Sequence, residues 1–390
     1  MPLLGRLAVA SAVAWAYLVA GHGGFWRTST RLPVEPPQPD RWPSVGVVIP
    51  ARNEAAVLPE TLSTLLEQDY PGSLTVWLVD DGSTDATAAV AHALAQRGTG
   101  RASLTVLTAP PPPPGWTGKL NAVNCGVAAA DAAEVELLLL TDADIAHHRS
   151  SVRRLVATAM ADDRDMVSLM ALLRTHTGWE RALVPAFVYF FAQIYPFPRV
   201  ARSGGWTAAA AGGCVLLRRT ALQRAGGLSR IRGDLIDDVA LGRLLKRSGA
   251  RTWLGFTSDP PEVRSIRPYP RVNDLWSMVV RTAYTQLRRS PVLLAGTITG
   301  LGLLYVVPPV AAVTGLARRA PVPAVAGLGA WAAMAVTQAP VLRLYGLSPL
   351  RGLALPAVAT LYAAMTLDSA RRHATGRGGA WKGRFSPRGR

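Results

Sequence analysis

Cysteine is almost absent: the 390 residues include only Cys125 and Cys214, far apart and without metal-ligand spacing. They read as two small buried hydrophobes in a reducing compartment. Acids are also scarce, with 25 Asp and Glu against 42 Lys and Arg, a net charge of +17. Such a balance raises nucleic acid and anionic lipid as partners. No zinc-finger, RNP-like or basic-zipper pattern accompanies it, and the basic residues stand beside apolar stretches and in the last twenty positions. Membrane headgroups and a pyrophosphate ligand suit the charge better, and no nucleic-acid partner is expected. Two phosphate-binding signatures are missing as well. No G-x-G-x-x-G follows a strand, and Gly118-Lys119 lacks the spacing and trailing Ser/Thr of a P-loop. Dinucleotide-dependent oxidoreductase and kinase-like ATPase readings lose their footing there.

Apolar residues are plentiful at 49%, with mean hydropathy +0.19, and they concentrate at the two ends. Leu3–Ala20 is long enough to span a bilayer, although a cleaved signal peptide is a rival reading. After Ser290, Pro291–Leu316 and Pro323–Leu342 each resemble a spanning helix, and Leu353–Leu367 is a shorter third candidate. The tail 371–390 carries seven Lys or Arg and no acid, which places it in the cytoplasm. A cytoplasmic central domain and a cytoplasmic tail need an even number of crossings between them. With three candidates, either one is re-entrant or interfacial, or the tail is outside. Trp179–Phe197 is aromatic-rich and mixed, suited equally to the membrane interface and to a buried helix.

Between these ends, Val45–Ile49, Leu74–Val79, Leu104–Thr108 and Glu136–Leu140 are strand-length apolar runs. Helical patterns at Glu54–Gln68, Thr84–Arg97 and Lys119–Ala130 separate them. The alternation predicts an α/β domain, a mostly parallel sheet with helices on both faces. Ligands bind beyond the carboxyl ends of such strands, and polar clusters fall there. After Leu137–Leu140 come Asp142 and Asp144, which converge if the segment stays extended. Two carboxylates suit Mg²⁺ or Mn²⁺ held together with substrate phosphates, or they simply cap a turn. Asp80 and Asp81 end the second run before Gly82-Ser83-Thr84. Helix capping explains the hydroxyls but leaves Asp80 for a nucleotide base or ribose. Pro50, Arg52, Asn53 and Glu54 follow the first run, and Lys119 opens a helix behind Pro110–Pro114, where its ammonium and free N–H groups could meet a phosphate. Asp237 and Asp238 start a basic helix; the helix dipole favours them, and either could serve as a general base. Arg281–Arg289 lies just before the membrane section, where its cations could clamp a diphosphate or snorkel to headgroups.

Six clusters in this order resemble the family 2 glycosyltransferases, with a GT-A nucleotide-sugar-binding domain, over roughly residues 44–290. The strings PPGWTGKLNAV, TAAAAGGCVLLRR and RTAYTQLRRSP are similar to those of hopene-associated glycosyltransferases of bacterial hopanoid gene neighbourhoods. The resemblance implies that Asp80, with Asp81 and the Pro50–Glu54 loop, holds the nucleotide, and that Asp142 and Asp144 form the DxD pair for donor phosphate and metal. Asp238 matches the catalytic base, with Asp237 in place of the family's Glu. Gln286 and Arg289 match the start of a Q-x-x-R-W motif, but Ser290 replaces its tryptophan. That departure disfavours a processive polysaccharide synthase; a catalytically idle sugar-nucleotide-binding scaffold is the other alternative. The expected protein is an inverting, multi-pass enzyme of the cell membrane. It would comprise an anchor at 1–28, a GT-A domain at 42–290 facing the cytoplasm, two or three membrane helices at 291–370 and a basic tail at 371–390. Its expected ligands are a nucleotide-sugar donor, a lipid acceptor (hopanoid-related on the closer likeness alone), and Mg²⁺ or Mn²⁺.

Overall fold

Strand β1 (Val45–Ala51) is buried at all seven positions, and its alternating side chains set the architecture. Val45, Val47 and Ile49 pack in one apolar cluster with Leu58, Leu62 and Leu65 of helix α2 (Leu58–Leu66) and with Val152, Leu155 and Val156 of α5 (Ser151–Ala161). Val48 packs on the opposite side with Leu120, Val123 and Val127 of α4 (Gly118–Ala132) and with Leu241 and Leu245 of α9 (Asp237–Arg247). Strand β4 (Leu137–Leu140) repeats the division, odd-numbered leucines to the first cluster and even-numbered ones to the second. A strand that is apolar at every position requires helices on both faces.

This computed structural model describes residues 2–98, 101–258, 260–376, 378, 380–381 and 384–385. Of the expected basic tail, positions 377, 379, 382–383 and 386–390 lie outside the described residues. The main sheet has seven strands in the order β3 (Ser103–Thr108), β2 (Leu74–Asp80), β1, β4, β7 (Val215–Arg218), β6 (Met166–Met170), β8 (Thr252–Phe256). Only β7 runs antiparallel to its neighbours. Helix α3 (Thr87–Arg97) follows β2, α8 (Arg219–Arg224) follows β7, and β5 (Ile145–His147) pairs antiparallel with β9 (Val263–Ser265) in a separate ribbon. The expectation of a mostly parallel α/β sheet holds. Its register aligns Ala51 with Asp80, Val48 with Leu140, and Leu140 with Val215. The loops after β1, β2 and β4 and the segment before β7 therefore open at one edge.

The chain divides into two compact units, one bearing the sheet (Ser29–Arg174 and Arg199–Pro268) and one helical. The helical unit contains α1 (Pro2–Ala20), α6 (Gly178–Ile194), α10 (Val272–Gln286), α11 (Pro291–Leu301), α12 (Val307–Ala317), α13 (Pro321–Leu344) and α14 (Leu355–Ala374), and the division after Pro198 falls within the short α7 (Phe197–Val200). Among the described residues, four stretches, Leu3–Ala20, Pro291–Ala317, Pro321–Leu344 and Pro349–Ala374, are long and apolar enough to cross a membrane. Their surfaces are apolar too: Val292 is 79% exposed, Val325 70% and Val13 65%. Where α12 meets α13, a Cβ on Gly315 would lie 2.5 Å from the Ala324 nitrogen, so glycine lets the backbones touch. Polar tips of aromatic residues are paired inside the unit. Trp15 Nε1 donates to Leu304 O at 2.8 Å, Tyr305 Oη to Gln193 Oε1 at 2.8 Å, and Tyr362 Oη to Leu183 O at 2.9 Å.

The stretch 349–374 follows a different course from its neighbours. Trp331 Nε1, midway along α13, donates to Leu353 O at 3.0 Å, and a Cβ on Gly352 would lie 2.8 Å from Ala335 O. From that level α14 runs back to α10, where Tyr284 N donates to Ser369 Oγ at 3.0 Å and Trp276 Nε1 to Asp368 Oδ2 at 2.9 Å. The segment dips to the middle of α13 and returns to α10.

Candidate active site

Pro50, Lys119, Asp142, Gly212, Asp237 and Asp238 line one cleft at the sheet's functional edge, with Leu140, Leu228 and Leu241 in its apolar wall. Lys119 is its hub: Nζ lies 2.8 Å from Asp142 Oδ1 and 3.0 Å from Asp237 Oδ2. The start of α4 holds it there, since Thr117 Oγ1 accepts from Leu120 N at 3.2 Å and Thr117 N donates to Arg232 O at 2.9 Å. Burial alone would favour the neutral amine, but Asp142 and then Asp237 outweigh it and hold Lys119 above its ordinary value as an ammonium.

Asp238 is held separately from its neighbour. Its Oδ2 accepts from Gly212 N at 2.9 Å and its Oδ1 from Val239 N at 2.8 Å. Burial first, then the adjacent Asp237, pushes this carboxyl up to about 6, against the pull of Lys119 and the two N–H groups. The Gly212 amide is brought close by a tight contact behind it. A Cβ on Gly242 of α9 would sit 2.6 Å from Ala209 C and 2.9 Å from Ala210 N, so only glycine lets α9 lie against this segment. On the other side, Thr141 Oγ1 donates to Gly213 O at 2.7 Å and bonds His147 Nε2 at 3.0 Å. Burial pulls the His147 imidazole down to about 3, which keeps it neutral.

Arg52, Asn53, Glu54, Asp80 and Asp81 form an adjoining block that joins the loops after β1 and β2. Arg52 donates to the carbonyls of Asp81 and, at 2.8 Å, Gly82. Asn53, at φ 53°, accepts from Thr84 N at 2.8 Å and donates through its own N to Ser83 Oγ at 3.0 Å. Asp80 accepts from Ser83 N at 3.2 Å and from the Ser83 hydroxyl, closing an Asx-type turn.

Asp142 and Asp144 do not share a partner. The chain turns there, with Ile145 N donating to Asp142 O at 3.2 Å, so the same-face rule for extended residues does not apply. Asp144 Oδ2 accepts from Ser265 Oγ at 2.8 Å and Arg267 Nε at 3.1 Å, and Arg267 also reaches Glu54 Oε1 at 2.6 Å. Arg267 and Ser265 thus belong to the site although no motif marks them. Gln286 and Arg289 lie in the helical unit: Gln286 Nε2 donates to the Tyr195 hydroxyl, and Arg289, at φ 54°, sits in the turn between α10 and α11. Among the described residues, no three or more His, Cys, Asp or Glu group as a metal site. Asp142 and Asp144 offer hard oxygen donors that fit Mg²⁺ or Mn²⁺ if diphosphate oxygens complete the shell.

The family described as "Glycosyltransferase like family 2" matches residues 43–276. The chain belongs to that family. Among its relatives, an N-acetylglucosaminyltransferase of Mesorhizobium japonicum is 43% identical over 70 residues, 17% of this chain and 16% of that protein. The probable glycosyltransferase YdaM of Bacillus subtilis is 25% identical over 190 residues, 47% of this chain and 43% of its own length. A beta-monoglucosyldiacylglycerol synthase of Synechocystis sp. is 42% identical over 57 residues, 14% of this chain and 12% of that protein. The chain thus spans less than half the length of each of these family relatives. The mannosyltransferase PcManGT from Pyrobaculum calidifontis, solved with GDP-Man and Mn²⁺, is similar in fold over 95% of this chain and 98% of its own, with TM-score 0.52 and 21% identity.

The Gly242 contact has a measurable consequence. Gly242→Ala should force α9 away from residues 209–212 and lower unfolding stability by about 1–3 kcal/mol. Thermal melting of the detergent-solubilised protein checks this, and an unchanged midpoint contradicts the packing argument.

Proposed function

We propose that this protein transfers a glycosyl group from a nucleoside diphosphate sugar to a hydroxyl of a lipid acceptor, with inversion, at the cytoplasmic face of the cell membrane. The observation that carries the reading is the cleft in which Lys119 bridges Asp142 and Asp237 while Asp238 is held apart by Gly212. In this mechanism Asp238 takes the proton from the acceptor hydroxyl, whose oxygen forms the new bond to the anomeric carbon as the bond to the diphosphate oxygen breaks. The Lys119 ammonium offsets charge on the leaving diphosphate. Asp80, Asp81 and the Pro50–Glu54 loop hold the nucleotide. Asp142 and Asp144 would hold Mg²⁺ or Mn²⁺, which when bound neutralises the departing phosphates.

A lipid acceptor suits the exposed apolar helices and the name of the Synechocystis relative; a hopanoid-related acceptor rests on the sequence likeness alone. Because burial and Asp237 push Asp238 up to about 6 and it must be ionised to act, transfer should rise with pH through that value and fall below it. Asp238→Asn should remove this inflection and lower turnover at least about 100-fold while leaving nucleotide-sugar binding intact. Incubating membranes with labelled nucleotide sugars and lipid extract, and counting label in the organic phase, reads both effects. Full turnover in the variant would exclude Asp238 as the base.

The membrane reading has two complete crossings after α10, 291–317 and 321–344, with 349–374 as a re-entrant segment. The end of α14 then returns to α10's side. Positive charge favours that side as cytoplasmic: Arg281, Arg288, Arg289, Arg343, Arg371 and Arg372 stand against Arg6, Arg318 and Arg319. In a background lacking Cys125 and Cys214, an impermeant thiol reagent should label Thr375→Cys only in inside-out vesicles and Ala320→Cys only in right-side-out ones. Labelling of both from one side contradicts this topology.

A further inference from the structure

We propose that the helical unit binds one anionic phospholipid in the cleft between α1 and the turn joining α12 to α13. The cleft holds about 830 Å³, within the usual span of ligand sites. Its walls are small or apolar, chiefly Gly5, Val9 and Ala10 on α1 and Gly315, Val322 and Pro323 opposite. Arg6 and Arg318 line the same space from separate elements, and both are exposed. Arg6 is the lone charge in an otherwise apolar spanning stretch, and Arg318 is the C-cap residue of α12.

No acid of this unit is available to answer them. Glu180 closes a capping box with Thr177, Asp274 pairs with Arg271, and Asp368 pairs with Arg371 and Arg372. From Leu275 to Leu367 the sequence has no Asp or Glu at all. Two guanidiniums above an apolar wall, at the level where spanning helices end, match a phosphate headgroup with an acyl chain laid below it. Favourable interaction with the α12 dipole accounts for Arg318 but not for Arg6 or the cleft. A zwitterionic or neutral lipid would leave the paired positive charge uncompensated, so the site selects a net anionic lipid.

The inference rests on the bundle being embedded in a membrane, which alkaline carbonate extraction tests separately. Protein that washes off defeats the membrane reading itself; protein that stays lets the lipid site be judged alone. The judging experiment is native mass spectrometry of the full chain in detergent supplied with phosphatidylglycerol or phosphatidylcholine. Wild type should keep one phosphatidylglycerol under activation that strips phosphatidylcholine. Arg6→Gln/Arg318→Gln should lower that occupancy about tenfold, whereas Arg6→Lys/Arg318→Lys keeps most of it and Arg343→Gln, at the other end of α13, changes nothing. Equal retention of both lipids, unchanged occupancy in the doubly neutralised variant, or an adduct of inorganic phosphate in place of lipid would overturn the proposal. Should the neutralised variant not fold, the preference of wild type for phosphatidylglycerol decides it.

Discussion

Three elements meet at one ammonium. Lys119, at the start of α4, sits between Asp142 beyond β4 and Asp237 at the start of α9. Without that charge, two partly buried carboxylates would face each other across a narrow cleft, where low dielectric strengthens repulsion. The approach of α9 to the sheet therefore depends on Lys119 as well as on apolar packing of Leu241 and Leu245. Because α9 also carries Asp238, the same contact fixes where the proposed base stands.

Arg267 has the matching role nearby, joining Asp144 to Glu54 and so tying the turn after β4 to the loop after β1. Two cations thus hold four carboxylates of the site in place. A nucleoside diphosphate arriving with a divalent ion would meet charges already arranged, and that preorganisation is what an electrostatic account of glycosyl transfer needs. The proposed lipid site uses the same physics in reverse, with arginines that lack acids and an anionic ligand to supply the balance.

Much of this was legible in the chain, for physical reasons. β1 and β4 were visible because a strand buried on both faces has to be apolar at every position, and the acids beyond them marked the ligand-binding edge. Local details failed where side chains had tertiary partners. The helix expected from Glu54 begins only at Leu58, because Asn53 and Glu54 bond across to Ser83, Thr84 and Thr87. The helix expected from Thr84 begins at Thr87 for the same reason, with Asp85 capping back to Thr87 N at 3.0 Å. Arg267 carries no local signal, since Asp144 and Glu54 are 123 and 213 residues away. Hydropathy likewise cannot register that 352–353 pack at mid-length of α13, which the contacts of Leu353 and Gly352 with that helix show.

The coupling of Lys119 to the base is open to direct measurement, because Lys119 acts to lower the pKa of Asp238 across the cleft. The pH profile of glycosyl transfer by Lys119→Met, scaled to its own maximum, isolates that coupling from any loss of rate. The inflection should be displaced upward from that of the wild type, itself expected at about 6. An inflection that stays where it was would contradict the claim that Lys119 joins Asp142 to the helix carrying the proposed base.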